Sequence, residues 1–250
     1  MDEKLRLRYQ LISAWCGPAF LVTFVFFWGF VANNIPNPSP ALAAEALKSR
    51  YLESLGDIRL GFIVSLITVC FYMPWTCVLA AQMRRIEGSD MPVLSYLQLI
   101  GGALTVMVVS FSATFWVVAG FRPEAPASTF QMMTDTGWLI IDLCYCCTTL
   151  QMIAAALVGL ADKSKAPLFP RWACYLTIWC AISFFPASLT GVLKTGPFAW
   201  SGALSYYIPY FCWLCWFTTA SVYMIKEIRR RAAAHATTPS GAGRLAHGAV

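Results

Sequence analysis

Histidine is nearly missing from this chain: the only two, His235 and His247, lie beyond the last long apolar run. Bis-histidine haem, histidine-rich di-iron sites and histidine proton relays therefore have no ligands in the body of the sequence. Charge is scarce as well. Asp, Glu, Lys and Arg make up 12% of 250 residues, half of the roughly one quarter usual in soluble domains. No Gly-X-Y or heptad run occurs, which excludes collagen and coiled coil, and a 15% aromatic content excludes a disordered chain. Nucleophile elbows, phosphate-cradling glycine loops and zinc-protease motifs are also absent. No lysine falls inside an apolar run, so a retinal Schiff base has nowhere to form. Ten cysteines are present, but most sit within apolar stretches, which excludes a small disulfide-stapled module.

What the chain does have is apolar length. Hydrophobic residues make up 58%, and six runs reach the ~20 residues needed to cross a bilayer. They span about 10–32, 59–83, 92–121, 138–161, 170–193 and 199–225. The last two are parted by Lys194-Thr195-Gly196-Pro197-Phe198, a helix stop. Period-two alternation is lacking, so the expected fold is all-α: a polytopic six-helix bundle over 1–231, followed by a disordered tail at 232–250 rich in Ala, Thr, Gly and Ser.

Basic residues set the orientation. Of 18, 13 collect at one side: Lys4, Arg6, Arg8, Arg84, Arg85, Lys163, Lys165, Arg171, Lys226, Arg229, Arg230, Arg231 and Arg244. Lys48, Arg50, Arg59, Arg122 and Lys194 make up the other side. Both termini are expected in the cytoplasm. The net charge of +6 is then a topology signal and does not call for nucleic acid; the basic stretch 226–231 reads as a helix anchor against anionic headgroups. The first run is too long for a signal-peptide core and reads as an uncleaved anchor.

Two outer segments have some order. After Pro36-Asn37-Pro38-Ser39-Pro40, residues 41–55 form an amphipathic helix with Leu47, Tyr51, Leu52 and Leu55 on one face, suited to the interface or to covering the bundle. Residues 122–137 hold Pro123, Pro126 and at most one helical turn near 130–134. A shift of 75 residues places Ala80-Ala81 on Ala155-Ala156, Glu87 on Asp162 and Pro92 on Pro167. A duplicated two-helix hairpin would give this match, and so would shared turn composition.

Asp142 is the only acid inside a predicted span, and an intramembrane carboxylate is a functional candidate by default. Counting from Trp138 places it in the outer leaflet, where Lys194 and Arg59 offer partners for an ion pair that fixes helix register. Its helix face continues through Tyr145. The last helix carries Tyr206, Tyr210, Trp213 and Phe217 at helical spacing; Tyr72 and Trp75 add rings from the second span, and Trp179, Phe184 and Phe185 from the fifth. Flat rings with a few hydroxyls suit a cleft for a sterol, isoprenoid or similar molecule. The candidate ligand-binding set is therefore Asp142, Tyr145, Lys194, Tyr206, Tyr210, Trp213, Phe217, Tyr72 and Trp75. The cysteines Cys144, Cys146 and Cys147, and the Cys-x-x-Cys pair Cys212 and Cys215, could ligate a soft metal, but cysteine in an apolar span acts first as a small hydrophobe. No catalytic residue, metal site or particular cofactor is assigned. Pro18, Pro74, Pro186 and Pro209 interrupt four spans and point to kinks.

Met83-Arg84-Arg85-Ile86-Glu87-Gly88, Phe169-Pro170-Arg171-Trp172 and Lys194-Thr195-Gly196-Pro197-Phe198-Ala199-Trp200 resemble stretches of uncharacterised bacterial six-span membrane proteins. The resemblance covers 1–230; it implies a bacterial inner-membrane location and brings no catalytic residue with it. Three function classes follow. The first is binding or transport of a small hydrophobic molecule. The second is an accessory subunit of a membrane complex or homo-oligomer in contact with lipid and other chains. The third is a membrane enzyme using Asp142 or thiols, which the missing histidines and the lack of a second buried acid disfavour.

Overall fold

The structure, a computed structural model that describes residues 2–88 and 90–237, is all-helical. Six stretches are long and apolar enough to cross a membrane: Glu3–Val31, Leu55–Glu87, Val93–Phe121, Ala127–Ala161, Arg171–Gly191 and Ala203–Ala236. The first is α1 (Glu3–Phe24), which runs into a wide π-turn, Val25–Val31. A short α2 (Ala44–Glu53) follows outside the spans. The second comprises α3 (Leu55–Thr68) and α4 (Tyr72–Glu87), and the third is α5 (Val93–Phe121). The fourth comprises α6 (Ala127–Leu143) and α7 (Cys146–Ala161). The fifth is α8 (Arg171–Ile182) followed by the 3-10 stretch Phe185–Gly191, and the sixth is α9 (Ile208–Thr237), entered through a π-turn at Ala203–Tyr207.

Proline explains where several of these breaks fall. Pro74 is the third residue of α4, Pro186 follows the end of α8, and Pro209 is the second residue of α9. A missing N–H costs nothing in a first turn, so helices restart at these prolines. Of these four prolines, Pro18 alone lies beyond the first turn of its helix.

The 75-residue shift has a structural counterpart. The 3-10 turn Val69–Phe71 that divides the second span maps onto the break at Cys144-Tyr145 that divides the fourth. Glu87 and Asp162, which the shift superposes, perform the same task. Glu87 accepts hydrogen bonds from the Leu94 and Ser95 amides, both at 3.1 Å. Asp162 accepts from the amides of Ser164 at 3.0 Å and Leu168 at 2.9 Å.

Three expectations from the sequence need correction. The segment 122–137 is mostly helix, because α6 begins at Ala127; its polar residues are absorbed by packing, as where the Trp116 indole donates to the Thr134 carbonyl at 3.2 Å and Gln131 reaches the Leu42 carbonyl at 3.0 Å. The α9 helix runs on to Thr237, into the expected disordered tail; the rest of that tail, 238–250, lies outside the described residues. In the fifth span, Trp179 and Phe185 face outward, 71% and 53% exposed, and do not join the aromatic core.

The α2 helix covers one end of the bundle. Leu47 and Tyr51 are buried, and the Tyr51 hydroxyl donates to the Trp116 carbonyl at 2.7 Å. At this end three of the five cations are consumed by backbone carbonyls: Lys48 by Ala125 at 2.6 Å, Arg50 by Pro36 at 2.7 Å, and Arg59 by Gly120 at 2.6 Å, where it also meets the negative end of α5. The opposite end joins the start of α1 to the ends of α4 and α9, with Glu3 near Arg231 and Glu227 near Arg85.

Candidate functional site

The centre of the bundle is a column of rings. Phe20, Phe24 and Trp28 repeat every four residues along the first span, and Tyr206, Tyr210, Trp213 and Phe217 line the facing side of the sixth. Phe24 stacks on Trp28 at 5.3 Å and 8°, and Trp28 stacks on Tyr210 at 5.8 Å and 9°. Below them Tyr72 lies parallel to Trp213 at 6.4 Å, and Trp75 stacks on Phe217 at 3.9 Å. The column closes upward through Trp138, 6.1 Å from Trp28 and 4.9 Å from Trp116. Gly17 lets α1 approach the Trp75 ring, where an added Cβ would fall 2.5 Å from the indole nitrogen.

Beside the column, between the first and sixth spans, lies a cleft of about 180 Å³. It is lined by Phe24, Val25, Trp28 and Ile35 on one wall and by Tyr206, Tyr207, Tyr210, Phe211, Trp213 and Leu214 on the other. Its mouth is formed by Phe211 and Tyr207, 66% and 44% exposed, on the bundle's lateral surface. Such a cleft is small against the roughly 300–1,000 Å³ of drug-sized sites. It has room for a tail or a ring, with the remainder of a molecule left outside.

The predicted site residues divide into three groups. Tyr206, Tyr210 and Trp213 line the cleft. Phe217, Tyr72 and Trp75 are fully buried beneath it and support its floor. Asp142, Tyr145 and Lys194 do not line it. Tyr145 stacks on Phe184 at 6.3 Å and shares a 2.7 Å hydrogen bond with Ser188. It reaches Tyr210 and Trp213 only across a separate gap of about 50 Å³. Lys194 is exposed, and its field falls on Asp135.

Asp142 is buried near the middle of the stretch Ala127–Ala161, deeper than a helix starting at Trp138 would place it. The proposed ion pair does not form: Arg59 is spent on Gly120 and Lys194 lies elsewhere. Asp142 Oδ2 has no hydrogen-bond partner among the described residues, and neither have the buried indole nitrogens of Trp28 and Trp138. Tyr206 and Tyr210 lie within electrostatic reach of the carboxylate. The Tyr206 hydroxyl is committed to the Asn34 carbonyl, and Asn34 in turn donates to the Trp28 carbonyl at 3.0 Å. Two unmatched donors and one unmatched acceptor thus sit behind the cleft's aromatic wall.

Sequence reasoning missed a second polar feature. Tyr72 donates to Gln151 Oε1 at 2.8 Å, Gln151 donates to Thr76 Oγ1 at 3.0 Å, and Gln98 donates to the same hydroxyl at 2.7 Å. The visible signal was two glutamines inside apolar spans, a pattern that joins membrane helices by side-chain hydrogen bonds. Sequence reasoning also missed Phe24 and Trp28, the two rings on the first-span wall of the cleft. Cys212 meets the Cys180 thiol of α8, and all ten cysteines are free. Among the described residues no group of three or more His, Cys, Asp or Glu is placed to hold a metal.

The fold and the site define a multi-pass helical membrane protein with a buried aromatic cluster. No family model, curated protein or solved structure matches the chain.

Proposed function

We propose that this protein binds, and in doing so carries or presents, the apolar part of a small lipid-like molecule in the cleft between its first and sixth spans. The observation that carries this reading is the cleft itself: ten lining residues, seven of them aromatic, with a lateral mouth at Phe211 and Tyr207. A lateral mouth suits a ligand that arrives from within the membrane, and 180 Å³ suits an isoprenoid or acyl tail better than a whole sterol. The location that goes with this reading is a bacterial inner membrane with both termini in the cytoplasm, supported by the basic asymmetry and by the resemblance of the stretches 83–88, 169–172 and 194–200.

Photocrosslinking tests it. A photoreactive isoprenoid alcohol and a photoreactive fatty acid, added to the purified protein in lipid nanodiscs, should label Tyr207, Phe211 and Leu214. Phe211→Ala removes apolar wall at an exposed position and should weaken labelling by about 1–2 kcal/mol, or roughly ten-fold. Trp179→Ala, equally exposed on another face, should change nothing. Labelling spread evenly over the lipid-facing surface would defeat the proposal and favour an accessory subunit.

A further inference from the structure

At the end of the bundle opposite α2, a pocket of about 470 Å³ opens between α1, α4 and α9, lined by Arg6, Gln10, Ala81, Arg84, Arg85 and Arg231. Four guanidinium groups face it, with no carboxylate among the lining residues. The nearest acids are already divided. Glu3 serves both Arg6 and Arg231, and Glu227 serves both Arg230 at 2.9 Å and Arg85 at 3.8 Å. Arg84 forms no ion pair among the described residues. Arg85 feels the repulsion of Arg231, Arg230 and Arg6 against the attraction of Glu227. Like charges this close need an anion to balance them.

Two further observations point to a ligand. Arg231 Nη1 is buried with no acceptor, and buried guanidinium donors are normally satisfied. The pocket is also held in shape: Gln82 donates to Gln10 at 2.9 Å and accepts from Arg85 Nη1 at 2.6 Å, which fixes the Arg85 fork. Guanidinium forks match the oxygens of carboxylate and phosphate alike. Four forks arriving from three helices suit a phosphate, which presents more acceptors than a carboxylate can. The pocket also lies where the apolar spans end, the level of lipid phosphates.

We infer that this pocket is a binding site for a phosphate group, carried by an anionic phospholipid headgroup or by a soluble phosphate compound. It stands apart from the aromatic cleft and does not depend on that cleft holding a ligand.

The test is native mass spectrometry of the full chain released from nanodiscs of phosphatidylglycerol mixed with phosphatidylcholine, alongside calorimetry of the delipidated protein with inorganic pyrophosphate. The wild type should retain phosphatidylglycerol preferentially, and Arg84→Gln with Arg231→Gln should lower that retention at least ten-fold. Arg229→Gln removes the same charge from the same helix outside the pocket and should leave retention unchanged. Pyrophosphate binding with the same dependence on Arg84 and Arg231, without lipid preference, would support the site and assign it to a soluble ligand. If the double variant does not fold, Arg84→Gln alone decides, since that exposed side chain serves no internal ion pair. Equal loss in Arg229→Gln, no loss in the pocket variants, or no binding of either probe by the wild type would overturn the inference.

Discussion

A carboxylate inside a membrane span is costly unless a cation or several donors neutralise it. Asp142 has neither, and its Oδ2 is buried without a partner. Asparagine keeps the shape and removes the charge, so Asp142→Asn should leave thermal stability unchanged or raise it. Lys194→Gln should do nothing, alone or in combination. A fall of about 3 kcal/mol or more on Asp142→Asn would mean that the charge is paired after all. Asp162, outside the spans, behaves in the opposite way. Burial works against its charge, but hydrogen bonds from Leu168 and Ser164 and the nearby Arg85 outweigh that and hold it below the usual carboxylate range. A depressed folded pKa gives stability that is present above the unfolded value, about 3.9, and is lost as the pH falls through the folded value. Amide exchange at Ser164 and Leu168 should therefore be slow at pH 7 and lose protection only below about pH 4. Asp162→Ala should abolish that protection at any pH, at a cost of about 1 kcal/mol.

At the scale of elements, close approach is written in glycine. Gly101 faces α7, where an added Cβ would lie 2.7 Å from the Cys147 carbonyl, and at Gly102 it would lie 2.7 Å from the Gln151 amide nitrogen. The first obstacle is backbone, which cannot swing aside. Gly101→Ala should cost about 1–3 kcal/mol by overpacking, whereas Leu104→Ala, on the outward face of the same helix, should stay near neutral in a detergent melt. The six spans were legible because long apolar runs leave few alternatives. The start of α6 was not legible, because Gln131 and Thr134 read as loop until Leu42 and Trp116 supply their partners. The ring stripe on α9 was legible from its spacing. Its partners Phe24 and Trp28 were not, since one sequence does not say which helices touch. The pairing proposed for Asp142 failed for the same reason: residues at matching depth need not face each other.

For the whole molecule, charge is sorted by end, and the two ends use it differently. Where α2 covers the bundle, Lys48, Arg50 and Arg59 are tied to carbonyls and act as clamps. At the opposite end Arg6, Arg84, Arg85 and Arg231 outnumber their acids, and the surplus is the kind of charge that resists translocation. Internal geometry already places Arg85 beside Glu227 and Arg231 beside Glu3, so the start of α1 and the ends of α4 and α9 share one side whichever way the bundle inserts. Orientation then reduces to a single binary choice, and our proposal assigns the end with the basic surplus to the cytoplasm. Reporter fusions after Arg85, Lys165 and Arg231 should read cytoplasmic, and fusions near Ser49 and Ala125 should read external. Moving charge tests the cause. Replacing Arg84, Arg85, Arg230 and Arg231 with Gln while adding three lysines to the loop at 38–43 should populate the inverted form. If the fusion signals stay fixed under that change, the basic asymmetry does not set the topology, and α2 packed on the end of the bundle is the next candidate to examine.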